Sequence, residues 1–248
     1  MKDKFIKRGF LDADIIIKLG KWKGSDLLRK IVEYFDEVYL HKRIYLEVDF
    51  PPQSKKLLDE LIEKRKLNLI EDRYLLNELD SKGLFLLTLE QACDFFNKDY
   101  YQEYYSNLHK INNSNEFLKR VEEIGKDIAH IGEIRTLQMI IILFSQANID
   151  NYFLSSDGGA RNGIVLNYAR GANSEINLQG VPLMSLFHYL KDEIKKQEAL
   201  DYVNNFAIIN VRLYATDGSR MSVSKEEFID MIYEEDYFLN KMGYIKLK

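Results

Sequence analysis

The sequence predicts an α/β protein in which a mostly parallel sheet carries helices on its faces. Three observations predict it. In the first 70 residues, short apolar runs alternate with amphipathic ones in the order β-α-β-α-β, and strands separated by helices pair in parallel. The run Met139 to Phe144 is apolar nearly all round, which marks a central, buried helix. A further short apolar run, Tyr152 to Ser156, ends on Asp157-Gly-Gly-Ala-Arg161, as a strand entering a turn would.

The elements follow in order. Phe5 to Leu11 reads as the first strand, and Ile15 to Leu19 begins a short helix. Gly20 to Gly24 is a loop. Ser25 is placed to cap a helix over Asp26–Phe35, whose Leu27, Leu28, Ile31, Val32 and Phe35 share one face. Glu37 to Leu40 is a second strand. The stretch Ile44 to Phe50 is closed by Pro51-Pro52. Ser54 opens a helix through Lys64, and Leu67 to Ile70 is a third strand. Residues 72–131 read as a helical insertion, with Thr88-Leu-Glu-Gln91 resembling a capping box. Within it Tyr100, Tyr101, Tyr104 and Tyr105 form either a packed helix face or a stacking platform for unpaired bases. Asn112 to Asn115 and Asn148 to Asn151 are turns, and a buried helix spans Ile134 to Gln146. A helix over Gly163–Arg170, a short strand at Ile176–Gln179 and a helix opened by Pro182 and reaching Lys195 complete residues 1–195. Residues 196–248 read as an extension packed on that core. There Phe206 to Tyr214 is strand or helix, Asp217-Gly218 is a turn, and Ser224-Lys-Glu-Glu227 caps a helix ending near Tyr237.

Composition narrows the function classes. With 35 Lys and Arg against 39 Asp and Glu, the net charge is −4, which excludes a bulk electrostatic grip on nucleic acid but not a local basic rim. The single cysteine, Cys93, excludes an intrachain disulfide, reads as a small buried apolar residue and fits a reducing, cytoplasmic compartment. Four scattered histidines give no zinc spacing. No signal peptide and no membrane span are expected.

Four carboxylates stand at element boundaries beside apolar runs. Asp12 ends the first strand, in Leu11-Asp12-Ala13-Asp14-Ile15. Glu47 sits in Leu46-Glu47-Val48, Glu133 in the first turn of the buried helix, and Asp157 at the end of a later strand. Each has an ordinary explanation alone: a helix cap for Asp12 or Asp14, the helix dipole for Glu133, an Asp-Gly turn for Asp157. Together they point to one cleft, because the C-terminal ends of neighbouring parallel strands open into a ligand crevice. Gathered carboxylates repel one another unless a cation neutralises them, and an oxygen-only donor set suits Mg²⁺ or Mn²⁺. Such an ion presents water to a phosphodiester and stabilises the leaving oxygen, so metal-assisted hydrolysis of a nucleic-acid backbone is the expected chemistry. Lys42, Arg43, Arg135 and Arg161 are the local cations that would meet the substrate.

The ordered set Leu11-Asp12-Ala13-Asp14-Ile15, Leu46-Glu47-Val48, Gly132-Glu133 and Leu154-Ser155-Ser156-Asp157-Gly-Gly-Ala-Arg161 resembles the PIN-domain nucleases, which include the toxin ribonucleases of bacterial toxin–antitoxin pairs. The resemblance covers roughly Phe5 to Lys195. It implies a three-layer α/β/α fold and a metal-dependent endoribonuclease. It makes Asp12, Glu47, Glu133 and Asp157 the catalytic metal ligands, with Asp14 as a further ligand or an orienting group. By the same match Ser155 and Arg161 would contact the substrate. RNA, single-stranded first, is the implied partner, and an antitoxin-like protein or a second copy of the chain are further options. Family members often have about half this length, so the 72–131 segment and the 196–248 extension depart from the pattern. Two other classes compete. Phe10 to Ile15 also resembles the first motif of haloacid-dehalogenase-type phosphatases, although no later apolar strand ends in two acids. The third is a catalytically silent scaffold for protein contacts.

Overall fold

The computed structural model describes residues 6–20, 25–96, 102, 106–144, 149–167, 177–234 and 236–248. The loop at 21–24, the four tyrosines Tyr100, Tyr101, Tyr104 and Tyr105, the helix ends predicted at 145–146 and 168–170, and the start of the strand at 176 lie outside the described residues.

Five strands, β1 (Ile6–Leu11), β2 (Glu37–His41), β3 (Asn68–Ile70), β4 (Ile149–Leu154) and β5 (Asn177–Val181), form one all-parallel sheet in the order β3-β2-β1-β4-β5. Side chains alternate across a strand, so adjacent residues face opposite layers. Leu11, Val38, Leu40, Leu154 and Val181 enter one buried cluster, while Phe10, Ile70, Phe153 and Leu178 enter another. The first cluster is closed by α1 (Ala13–Gly20), α2 (Ser25–Tyr34), α4 (Pro52–Glu63) and α10 (Leu186–Leu190). The second is closed by α5 (Asp72–Leu79), α6 (Lys82–Asp94), α7 (Ser114–Gly125) and α8 (Ile131–Leu143). The result is a three-layer α/β/α fold. The segment 72–131 therefore builds most of one helical layer. A short α3 (Lys42–Glu47) follows β2 directly, and a four-residue α9 (Gly158–Arg161) follows β4.

Helix α8 is the buried centre of its layer, as its composition predicts: every residue from Ile131 to Ile140 is buried except Glu133. Its polar members have partners. The Thr136 hydroxyl donates to the Gly132 carbonyl, and the Gln138 amide donates to the Phe85 carbonyl and the Thr88 hydroxyl. Paired in this way, a polar side chain costs little inside an apolar layer.

The C-terminal segment adds α11 (Lys196–Asn204), α12 (Lys225–Glu234) and a second sheet of β6 (Asn210–Tyr214), β7 (Arg220–Ser224), β8 (Tyr237–Leu239) and β9 (Ile245–Leu247), in the order β7-β6-β9-β8. Leu213, Phe228, Ile229, Ile232 and Ile245 share the buried cluster of Leu11 and Val181. The turn Asn240–Tyr244 clasps the main sheet: the Gly180 amide donates to the Lys241 carbonyl, and the Ser185 hydroxyl donates to the Gly243 carbonyl. Gly243 has φ +75°, and a Cβ there would fall 2.1 Å from the Gly180 oxygen, so only glycine fits.

Several local expectations are corrected. Thr88 lies inside α6 and its hydroxyl bonds back to the Phe85 carbonyl; Ser81 is the cap, accepting from the Leu84 amide at 3.2 Å. Helix α4 starts two residues before Ser54, with proline in its first turn, where a missing N–H costs nothing. Residues 149–151 are strand, not turn, because β4 needs all six residues to pair with β1. Helix α8 begins at Ile131 because His130, at φ 59°, turns the chain into it. The helix from Pro182 is a 3-10 turn, Leu183–Ser185, followed by α10, and it stops at Leu190. Gly163 to Asn167 belong to a π-helical turn. Phe206–Tyr214 resolves into a strand over Asn210–Tyr214, and α12 ends at Glu234, before Tyr237 starts β8. The Ser224 box forms as predicted: Glu227 N donates to Ser224 Oγ at 3.1 Å and Ser224 N to Glu227 Oε2 at 2.9 Å. Cys93 is fully buried and unpaired, and burial pushes its thiol up to about 12. No helix among the described residues is long and apolar enough to cross a membrane.

Candidate functional site

The strand order reverses between β1 and β4, and in an open parallel sheet a crevice forms outside the C-terminal ends at such a point. Asp12 and Ser155 are the first residues beyond those two ends. Their amides continue the ladder: Asp12 N donates to the Leu154 carbonyl at 3.0 Å, and Ser155 N to the Val181 carbonyl at 3.1 Å. The fold therefore fixes both backbones before any side chain is considered.

Asp12 is 5 % exposed. Its Oδ1 accepts from the Ala13 amide at 2.8 Å, and the Ser155 hydroxyl also bonds to it. These two bonds do not offset its surroundings. Burial, then the neighbouring Asp14 and, more weakly, Glu133 push its carboxyl up to about 7. Asp14, in the first turn of α1, holds the Ser156 amide between its two oxygens at 3.1 and 3.0 Å and accepts from Lys18 at 3.1 Å. Glu133 opens α8, with His130 Nδ1 3.5 Å away. Glu47 ends α3, and its carboxyl is raised by burial and by Glu133 against the lowering effect of Arg43, 3.4 Å away. Asp14, Asp12, Glu133 and Glu47 thus form a line in which successive members feel each other's charge.

Gly132 makes the α3–α8 approach possible. A Cβ there would sit 2.5 Å from Ile44 Cδ1 and 2.9 Å from Glu47 Oε1. Any larger residue would drive the Glu47 carboxylate away from Glu133.

Asp157 stands on the same edge but in a different role. It is exposed, and its Oδ1 accepts from the Gly159 amide at 2.7 Å, so it caps α9. Its own amide donates to Ser155 Oγ at 3.0 Å. The Ser155 hydroxyl is thus the link between Asp12 and the Asp157 backbone. Arg161 is buried: its guanidinium donates to the Ser155 carbonyl and, at 2.6 Å, to the Tyr244 hydroxyl. In this position it braces the Ser155 turn from behind. Arg135 is also buried, donating to Gln138 Oε1 at 2.6 Å and facing Asp72 at 3.8 Å. Lys42 pairs with Glu71 at 3.0 Å. Of the four predicted cations, only Arg43 touches one of the acids in the line.

All donors in the line are carboxylate oxygens, which fits a hard divalent cation. Asp12 and Asp14 accept from protein donors in this conformation, and no group of three His, Cys, Asp or Glu among the described residues is arranged to hold an ion. Added positive charge beside Asp12 would favour the ionised form of its raised carboxyl.

Residues at the ends of β2 and β3 were not singled out from sequence. His41, the last residue of β2, accepts the Arg43 amide on Nδ1 at 3.1 Å, so Nε2 carries the hydrogen and faces Asp72 Oδ1 at 3.3 Å. Asp72 lies just past β3. Burial would raise its carboxyl, but Arg135, His41 and Lys42 outweigh that and bring it down to about 2. The rule that marks Asp12, an acid just beyond a strand, applies equally to Asp72. His130 carried a signal only in its φ, which no sequence pattern displays.

No protein-family model, curated protein or solved structure matches the chain.

Proposed function

We propose that the chain is a Mg²⁺- or Mn²⁺-dependent endoribonuclease of the PIN type, hydrolysing single-stranded RNA at the end of β1 and β4. The observation that carries this reading is the gathering of Asp12, Asp14, Glu133 and Glu47 at the reversal point of the sheet, with Ser155 joining Asp12 to Asp157. Asp12 and Glu133 would hold the ion, with Glu47 and Asp14 beside them, and Asp157 could add its carboxylate if that were released from the Gly159 amide. A bound ion would supply charge neutralisation and an activated water. The protein supplies the rest. Ser155 holds the Asp12 carboxylate in place, Gly132 admits Glu47, and Arg161 with Tyr244 keeps the Ser155 turn from shifting.

The test is cleavage of a single-stranded RNA by the full chain with Mn²⁺, beside Asp12→Asn and Asp157→Asn. The expected loss is on the order of a hundredfold or more for Asp12→Asn. Equal cleavage by wild type and both variants ends the proposal.

A second reading, a silent scaffold, is favoured by one observation: Asp14 and Asp157 each accept from a backbone amide, the structural role of a capping side chain. Calorimetric titration with Mn²⁺ separates the two, because a scaffold gives no heat that depends on Asp12.

A further inference from the structure

A cavity of about 280 Å³ opens beside the acidic line, at the C-terminal ends of β2 and β3. Its wall carries five Lys or Arg side chains, Lys42, Arg43, Arg73, Lys119 and Arg135, against three carboxylates, Glu71, Asp72 and Glu122. Four of the five face a carboxylate at 3.0 to 3.9 Å, and Arg73 faces a neutral amide. At the bottom, buried Arg135 faces Asp72. At the rim, Arg73 donates to the neutral Asn115 amide oxygen at 3.0 Å, and the Lys119 side chain is 79 % exposed and only 3.9 Å from Glu123. The cavity and the acids share a wall. Arg43 lines the cavity and pairs with Glu47, and Ile131, also in the lining, starts the helix turn that carries Glu133.

A polyanion approaching a line of carboxylates is repelled, and a chain of net charge −4 offers no general attraction to offset it. Local positive charge beside the acids would offset that repulsion, and the wall of this cavity carries such charge. Its volume is slightly below the range of about 300–1,000 Å³ typical of pockets for drug-sized ligands, which suits one phosphate and part of its sugar. The exposed Leu46 and the half-buried Leu118 give that sugar an apolar edge.

We propose that this cavity is a phosphate subsite, holding a phosphate of the RNA strand next to the one presented to the acids. The identity of the strand rests on the nuclease reading; the anion-binding role of the cavity does not.

The experiment uses the full chain in EDTA, where no cleavage occurs. A labelled single-stranded 12-nucleotide RNA, with and without a 5′-phosphate, is titrated against wild type and the double variant Arg73→Gln/Lys119→Gln. Both residues are exposed, so the variant folds. The expected result is binding about tenfold weaker, with the slope of log K against log salt shallower by about 1 to 1.5. A loss confined to the 5′-phosphorylated strand puts a strand end in the cavity, and a loss on both puts an internal phosphate there; each supports the subsite. Equal affinity and equal slope overturn it, as does competition by inorganic phosphate at wild type with no change in RNA binding by the variant. In Mn²⁺, weaker RNA binding without any cleavage by wild type removes the nuclease reading and leaves the subsite. Cleavage with an unchanged KM in the variant removes the subsite and leaves the nuclease.

Discussion

Replacing Asp12 by asparagine tests the electrostatics of the site without any substrate. An Asp in the unfolded chain releases its proton near 3.8, whereas in the fold Asp12 keeps it up to about 7. Between those values the folded state binds one proton more than the unfolded state. The stability from this group is therefore complete below pH 3.8 and is lost as pH rises through 7. The whole gap corresponds to about 4 kcal/mol, and the part between pH 5 and pH 8 to about 3 kcal/mol. Asparagine has the same shape, can still accept the Ala13 amide, and does not titrate. Urea unfolding of both proteins in EDTA, at pH 5 and pH 8, reads the difference directly. Stability of Asp12→Asn relative to wild type should rise by about 3 kcal/mol between the two pH values. If both proteins change equally with pH, the Asp12 carboxyl is not held protonated by its neighbours and the electrostatic account of the site is wrong. Saturating Mn²⁺ at pH 8 should then stabilise wild type selectively, by about 2.7 kcal/mol at a hundred times its Kd.

Three further substitutions probe the supports. Gly132→Ala should lower stability by about 1–3 kcal/mol through overpacking against Ile44 and Glu47, and should weaken Mn²⁺ binding more than Asp14→Asn does; calorimetry and thermal unfolding read both. Asp72→Asn should cost about 2 kcal/mol at pH 7, because a carboxyl lowered to about 2 contributes stability that is present above 3.8 and lost as pH falls through 2. The gap to wild type should close in acid unfolding curves. Ser224→Ala removes a formed capping box and should cost about 1 kcal/mol, with no effect on RNA cleavage.

The layered fold was legible because its signals are local and agree. Apolar runs at Phe10-Leu11, Val38-Leu40 and Phe153-Leu154 gave strands, and the intervening amphipathic faces gave helices. What sequence reasoning missed depends on distant partners. Thr88 looks like a cap until Gln138, fifty residues on, claims its hydroxyl. Residues 149–151 look like a turn until β1 supplies a partner for each. The acids draw notice in the sequence because each stands where an apolar run stops. Arg135 and Arg161 read as cations meeting the substrate, since a single chain does not reveal that Gln138 and Tyr244 take their donors inside. The basic cavity draws its Lys and Arg side chains from four separate helices and forms no motif, so only the assembled fold brings it into view.

The sheet's connectivity also sets a timetable. Asp14 finds the Ser156 amide 142 positions further along, and the first strand pairs with the fourth only after every intervening helix has been made. During synthesis, at roughly 5–20 residues per second, Asp14 waits many seconds for the Ser156 amide. The crevice between the first and fourth strands therefore cannot form until more than half of the polypeptide has emerged.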